Sequence, residues 1–211
     1  MADRGVFITV EGGEGVGKST NLTHIHNYLL KQGKKVVVTR EPGGTPIGEE
    51  IRSLLLNSAH GEMHSDTELL LMFAARAQHL QELIIPALEA GRWVICDRFT
   101  DATYAYQGGG RGVDEGRIEQ LEQWVQGALR PDLTLLLDAP IEVGMARVTQ
   151  RGEATDRFES EQRLFFDSVR RTYLRRAEQR PEQFRIIDAA QPLASVESQL
   201  VDILNEFMAR H

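Results

Sequence analysis

Residues Gly12, Gly13, Glu14, Gly15, Val16, Gly17, Lys18 and Ser19 have the spacing G-x-x-x-x-G-K-[ST] and follow the apolar run 6–10. A strand, a glycine-rich turn and a helix start in that order predict a cradle for a nucleoside triphosphate. Glycines let backbone N–H groups face an anion at close range, and the positive end of the helix dipole reaches the same point. Lys18 supplies a mobile charge for the β- and γ-phosphates, and the Ser19 hydroxyl suits a Mg2+ ligand. This pattern names a ligand and leaves the reaction open. Asp97 follows the run 93–96, at the strand edge that faces a nucleotide crevice in parallel sheets. It either orients the Mg2+ shell held by Ser19 or caps a loop, and beside a phosphate loop the magnesium role is favoured. Arg98 comes next, as a phosphate-binding guanidinium or as a structural ion-pair partner.

Groups of this kind need rigid elements under them. Apolar runs at 6–10, 35–39, 93–96, 133–137 and 184–187 alternate with longer helical patterns, which predicts an α/β fold with a five-stranded parallel sheet flanked by helices. Helices are expected over 18–31, 66–89, 115–129, 141–149, 161–177 and 193–210. Residues 150–159 form a polar stretch with Arg151 and Arg157 around Gly152. It is either an exposed loop or a short lid.

The 211 residues are 41% hydrophobic, enough for one domain spanning 1–211. With 24 Lys plus Arg against 31 Asp plus Glu, a net charge of -7 disfavours a protein that grips nucleic-acid backbone. Cys96 is the only cysteine, so no internal disulfide forms, in keeping with a reducing compartment. Met-Ala-Asp-Arg-Gly at the start is not an apolar signal segment, and no apolar stretch is long enough for a bilayer. These features predict a cytoplasmic protein without a membrane partner.

Four further tracts carry a resemblance: Thr-Arg-Glu-Pro-Gly-Gly-Thr at 39–45, Phe-Ala-Ala-Arg at 73–76, Asp-Arg at 97–98 and Ala-Tyr-Gln-Gly-Gly-Gly-Arg at 105–111. With the phosphate loop, they are similar to the thymidylate kinases, in order from Val6 to the Ile-Asp-Ala tract at 187–189. That resemblance implies the P-loop NTPase fold, transfer of the ATP γ-phosphoryl group to dTMP, Mg2+ as cofactor, and a homodimer. It places ATP on Gly12 to Thr20. Arg40 and Arg98 would hold the dTMP phosphate, suited to it by their planar forks. Arg76 would reach the thymine edge, Thr103 and Gln107 would bond the base, and Tyr106 would lie under the sugar. On residue type alone, Thr103 and Gln107 read as surface polar groups and Tyr106 as a core aromatic. Pro42 would shape the loop after the second strand, resembling a proline that is cis in the family.

The chain departs from the family in two places. The aromatic expected four residues before Arg76 is Met72, with Phe73 three before it. Both spacings neighbour Arg76 on a helix, so base packing falls to Phe73 or Met72. Glu14 resembles the loop carboxylate that contacts the acceptor 3′-hydroxyl. Some relatives follow it with an arginine, where this chain has Gly15. Arg151 and Arg157 match the bacterial pattern in which the lid supplies that charge. Two other classes compete: a different nucleoside-monophosphate kinase, and a switch that hydrolyses GTP. The guanine-reading Asn-Lys-x-Asp tract of such switches does not occur.

Overall fold

A computed structural model describes residues 4–57, 62–151 and 163–210, with the Arg151 side chain left out. Five parallel strands, β1 (Phe7–Glu11), β2 (Val36–Arg40), β3 (Trp93–Asp97), β4 (Leu133–Asp138) and β5 (Phe184–Asp188), form one sheet in the order β2-β3-β1-β4-β5. Each observed strand ends on an ionisable residue: Glu11, Arg40, Asp97, Asp138 or Asp188. Most of the sheet's hydrophobic side chains are buried, while its C-terminal edge carries charge. The crossover at β1 is the order reversal where ligands bind in open α/β sheets.

Alternation along the strands sends side chains to opposite layers. Ile8, Val10, Ile95, Leu133, Leu135 and Leu137 pack with Ile25 and Leu29 of α1 (Lys18–Lys31), while Phe7, Val94 and Cys96 pack on the other face with Leu80, Ile84 and Phe99. Each fully buried Ile, Leu or Phe contributes about 1.5–3 kcal/mol. Cys96 is the buried strand residue its surroundings predict, and burial pushes its thiol up.

The helix expected over 66–89 is divided. It runs as α3 (Ser65–His79), a π-helical turn Leu80–Ile84, and α4 (Ile85–Glu89). Pro86 has no N–H to give the preceding turn, and the wider π turn accommodates it. Two segments had no predicted element. Residues after the second strand form α2 (Pro46–Leu56), whose start is capped by Thr45 Oγ1 accepting from Gly48 N at 3.1 Å. After β3 comes α5 (Thr100–Thr103), which continues as a π-helical stretch Tyr104–Gly110. That stretch lies against α8 (Arg163–Gln179) so closely that a Cβ on Gly109 would meet Thr172 Oγ1 at 2.2 Å and one on Gly110 would meet Phe165 at 2.3 Å. Its glycines therefore serve contact with a helix, and they fix Tyr106 and Gln107 above the sheet edge. Three further elements complete the described residues: α6 (Glu115–Gln126), α7 (Ile141–Arg151) and α9 (Leu193–Met208).

Candidate active site

A cleft of about 510 Å³ opens over the C-terminal ends of β1 and β3. The phosphate loop and the start of α1 form one wall, through Glu14, Gly15, Gly17, Lys18, Ser19 and Thr20. Gly17 caps α1 at φ 88, without a side-chain cap or an acidic residue in the first turn. The first N–H groups of that helix are thus left for an anion. Gly12, Gly13 and Val16 border a smaller hollow behind the loop, and Val16 is part of the core.

Lys18 folds across its own loop. Its Nζ donates to Gly13 O at 2.6 Å and Gly12 O at 3.1 Å. Burial, reinforced by the neighbouring Arg98 charge, pushes its ammonium down to about 8. A polyphosphate beside Nζ favours the charged form and raises that value. Nucleotide binding between pH 8 and 9 is therefore expected to take up a proton, with affinity falling as pH rises through about 8. Calorimetry in buffers of different ionisation enthalpy measures this. Uptake that persists in Lys18→Met would assign the proton elsewhere.

At the C-terminal end of β3, Asp97 Oδ1 is buried with no hydrogen-bond partner among the described residues. Asp97 and Ser19 line the same cleft. An orphaned carboxylate oxygen and a hydroxyl facing a phosphate loop fit Mg2+, a hard cation that takes oxygen ligands and keeps part of its water shell. Arg98, next in the chain, adopts the left-handed conformation at φ 65. This turns its guanidinium toward the loop, where Nη2 donates to Glu14 Oε1 at 2.6 Å and Nη1 to Gly12 O at 3.0 Å. Burial opposes its charge, but Glu14 and the oxygens of Tyr106, Tyr173 and Asp97 outweigh that and hold it cationic. Tyr173 also donates to Glu11 Oε2 at 2.9 Å. Glu11 is itself pushed up to about 8 by burial and by Asp101.

The far wall holds the residues assigned by resemblance to an acceptor. Tyr106 donates to Glu14 Oε1 at 2.8 Å. Thr103 and Gln107 are buried, not surface groups: Thr103 Oγ1 accepts from Arg76 Nη2 at 3.0 Å, and Gln107 Nε2 donates to Glu68 Oε1 at 2.7 Å. Pro42 lines the cleft after a cis peptide bond. Met72 and Phe73 part company. Met72 lines the cleft, whereas Phe73 packs in the core with Leu69, Tyr104, Val113 and Ile118.

Arg40 stands apart from the cleft lining, more than half exposed and paired with Glu49 at 2.8 Å. Arg52 of α2 lines the cleft instead, donating from Nη1 to Pro42 O at 2.9 Å. Arg147 lines it from α7 and donates to Ala189 O at 2.9 Å. Neither was expected, because α2 had not been placed and α7 had not been tied to the loop. Glu41 also lines the cleft, from inside the 39–45 tract. Arg157 and the Arg151 side chain lie outside the described residues.

A phosphate loop, an adjacent Asp-Arg pair and a second polar wall within one cleft define a P-loop phosphotransferase of the nucleoside-monophosphate kinase kind. A family model described as Thymidylate kinase matches residues 10–200. The chain belongs to the thymidylate kinase family. It is 58% identical over 204 residues to a thymidylate kinase of Pseudomonas savastanoi pv. phaseolicola, covering 97% of each chain. It is 60% identical over 200 residues to one of Ectopseudomonas mendocina, covering 95% of each. The crystal structure of thymidylate kinase from Ehrlichia chaffeensis superposes with a TM-score of 0.77 at 32% identity, covering 96% of this chain and 99% of that one.

Proposed function

We propose that this phosphotransferase moves the γ-phosphoryl group of ATP to the phosphate of dTMP, giving dTDP and ADP, the step that supplies dTTP synthesis. The observation that carries this reading is the continuity of the cleft: Lys18 and Ser19 at one wall, Arg76, Thr103, Tyr106 and Gln107 at the other, and Arg98 between them. An acceptor phosphate oxygen attacks the γ-phosphorus in line, and the bond to the β,γ-bridging oxygen breaks as ADP leaves. The acceptor phosphate is already anionic at neutral pH, so no strong protein base is needed. Alignment, charge neutralisation and exclusion of water carry the rate.

Lys18 and Arg98 hold charge on the transferring group, and Arg98 with Arg52 is suited to the acceptor phosphate. Met72 covers the base, while Glu14, already bonded to Tyr106, is suited to the sugar 3′-hydroxyl. Ser19 and Asp97 would hold Mg2+, which when bound neutralises phosphate charge. A panel of dTMP, dUMP, dCMP, AMP and GMP with ATP tests the reading. Preference for an acceptor without thymine would reject it.

A lid over 150–159 would complete the site; of that stretch only residues 150 and 151 are described, at the end of α7, and 152–159 lie outside the described residues. Arg151→Ala and Arg157→Ala are expected to lower turnover about a hundredfold or more with little change in dTMP binding, as for groups that act on transition-state charge. Normal turnover in both variants would remove the lid from the mechanism. A homodimer is supported by Leu54 on α2, Leu70 on α3 and Trp124 on α6. These side chains are exposed, with Trp124 at 82%, on helices that pack α2 to α3 and α3 to α6. Sedimentation that shows only monomer at micromolar concentration rejects it. Among the described residues, no helix is long and apolar enough to cross a membrane.

A further inference from the structure

Arg76 is 2% exposed, a cation almost wholly removed from water. Its guanidinium carbon lies 4.8 Å from the Phe73 ring centroid and 5.0 Å from that of Phe99. Nε donates to Glu41 Oε2 at 2.7 Å and Nη2 to Thr103 Oγ1 at 3.0 Å. Nη1 is buried with no partner among the described residues. A guanidinium carries only donors, so this remaining edge is satisfied by a ligand acceptor and repelled by an amino group. Which edge is left over depends on Glu41.

Glu41 is itself held. Its second oxygen, Oε1, meets His79 Nδ1 at 3.0 Å, and His79 Nε2 meets Thr39 Oγ1 at 2.7 Å. All three residues are buried. Nδ1–H donating to the carboxylate, with the Thr39 hydroxyl donating to Nε2, satisfies both ring nitrogens of His79 and both oxygens of Glu41, and leaves Arg76 Nη1 as the open end of the chain Thr39–His79–Glu41–Arg76. One end of this chain is fixed in β2 and the other lies at the cleft wall. The carboxylate therefore does more than balance a buried charge: held at both oxygens, it sets the rotation of the guanidinium plane.

We propose that Glu41 and His79 are positioning residues that act through Arg76 to set base selection, holding its free edge for a carbonyl oxygen of the acceptor base. This rests on the acceptor reading above. Under it, the pair selects a 4-keto over a 4-amino pyrimidine.

The test compares wild type, His79→Leu, His79→Asn and Thr39→Val with dTMP and dCMP. Asparagine replaces the Nδ1–H donor; leucine removes both bonds. His79→Leu is expected to raise the KM for dTMP about tenfold and to lower the dTMP over dCMP preference by about the same factor. Its kcat and KM for ATP should stay within about twofold. His79→Asn should recover most of the loss, and Thr39→Val, nearly isosteric, should show a smaller shift of the same kind. A merely structural role would move stability, kcat and both KM values together and leave the base preference unchanged. A wild-type enzyme without dTMP preference overturns the acceptor reading. A dTMP preference that is present in wild type and unchanged in His79→Leu and Thr39→Val overturns the positioning role alone.

Discussion

Arg98→Ala is expected to lower kcat/KM by roughly a thousandfold, the scale at which arginines act on phosphoryl-transfer transition states. Two effects combine. Charge stabilisation at the transferring group is lost, and Glu14 loses its 2.6 Å partner while staying beside the phosphates. The double variant Arg98→Ala/Glu14→Gln should therefore recover about tenfold relative to Arg98→Ala, since it removes the repulsion and not the deficit. Arg98→Lys should fail to rescue. A single ammonium cannot reach Glu14, Gly12 O and Tyr173 from one planar fork. Steady-state kinetics measure all three, and near-normal kcat/KM in Arg98→Ala would remove the residue from the mechanism.

Gly15→Ala is expected to lower kcat/KM for ATP about a hundredfold, the loss that accompanies a misplacement of about an ångström at a reacting centre. A Cβ at position 15 would lie 2.0 Å from Gly144 O, in backbone already at φ 68. The contact is reciprocal, for a Cβ on Gly144 would meet Glu14 O at 2.4 Å. Loop and α7 touch backbone to backbone, so either substitution must drive them apart. Gly144→Ala should show the same signature, and the double variant should cost less than the sum of the two. Unchanged ATP kinetics in both would mean that the loop tolerates the displacement. The same contact accounts for the missing loop arginine. Any side chain at position 15 collides with α7, so a chain with this packing must find the charge elsewhere.

The five strands and the phosphate loop were readable because both are local patterns, a short apolar run and a fixed spacing of glycines and a lysine. Residues 46–56 and 100–110 were not. The first helix is announced by Thr45 and Pro46, but Thr45 was read only as the last residue of the 39–45 tract and Pro46 was not read at all. The second ends in a π-helical stretch that has no 3.6-residue periodicity and carries glycines that usually mark a loop. Missing α2 hid Arg52 and left Arg40 as the partner of Arg98 at the acceptor phosphate, although Arg40 is drawn outward by Glu49. Met72 and Phe73 are equally close to Arg76 along a helix. What separates them is the packing of α3 on α6, which draws Phe73 into a cluster with Ile118. Spacing within one helix carries no information about that neighbour.

The resting place of Lys18 bears on the end of the catalytic cycle. With its Nζ bonded to the carbonyls of Gly12 and Gly13, the lysine has two oxygens waiting when a nucleotide departs. ADP is then exchanged for protein oxygens and does not leave a bare buried cation behind. The same two bonds must be given up when ATP arrives, so the loop sacrifices tightness of grip for ease of release.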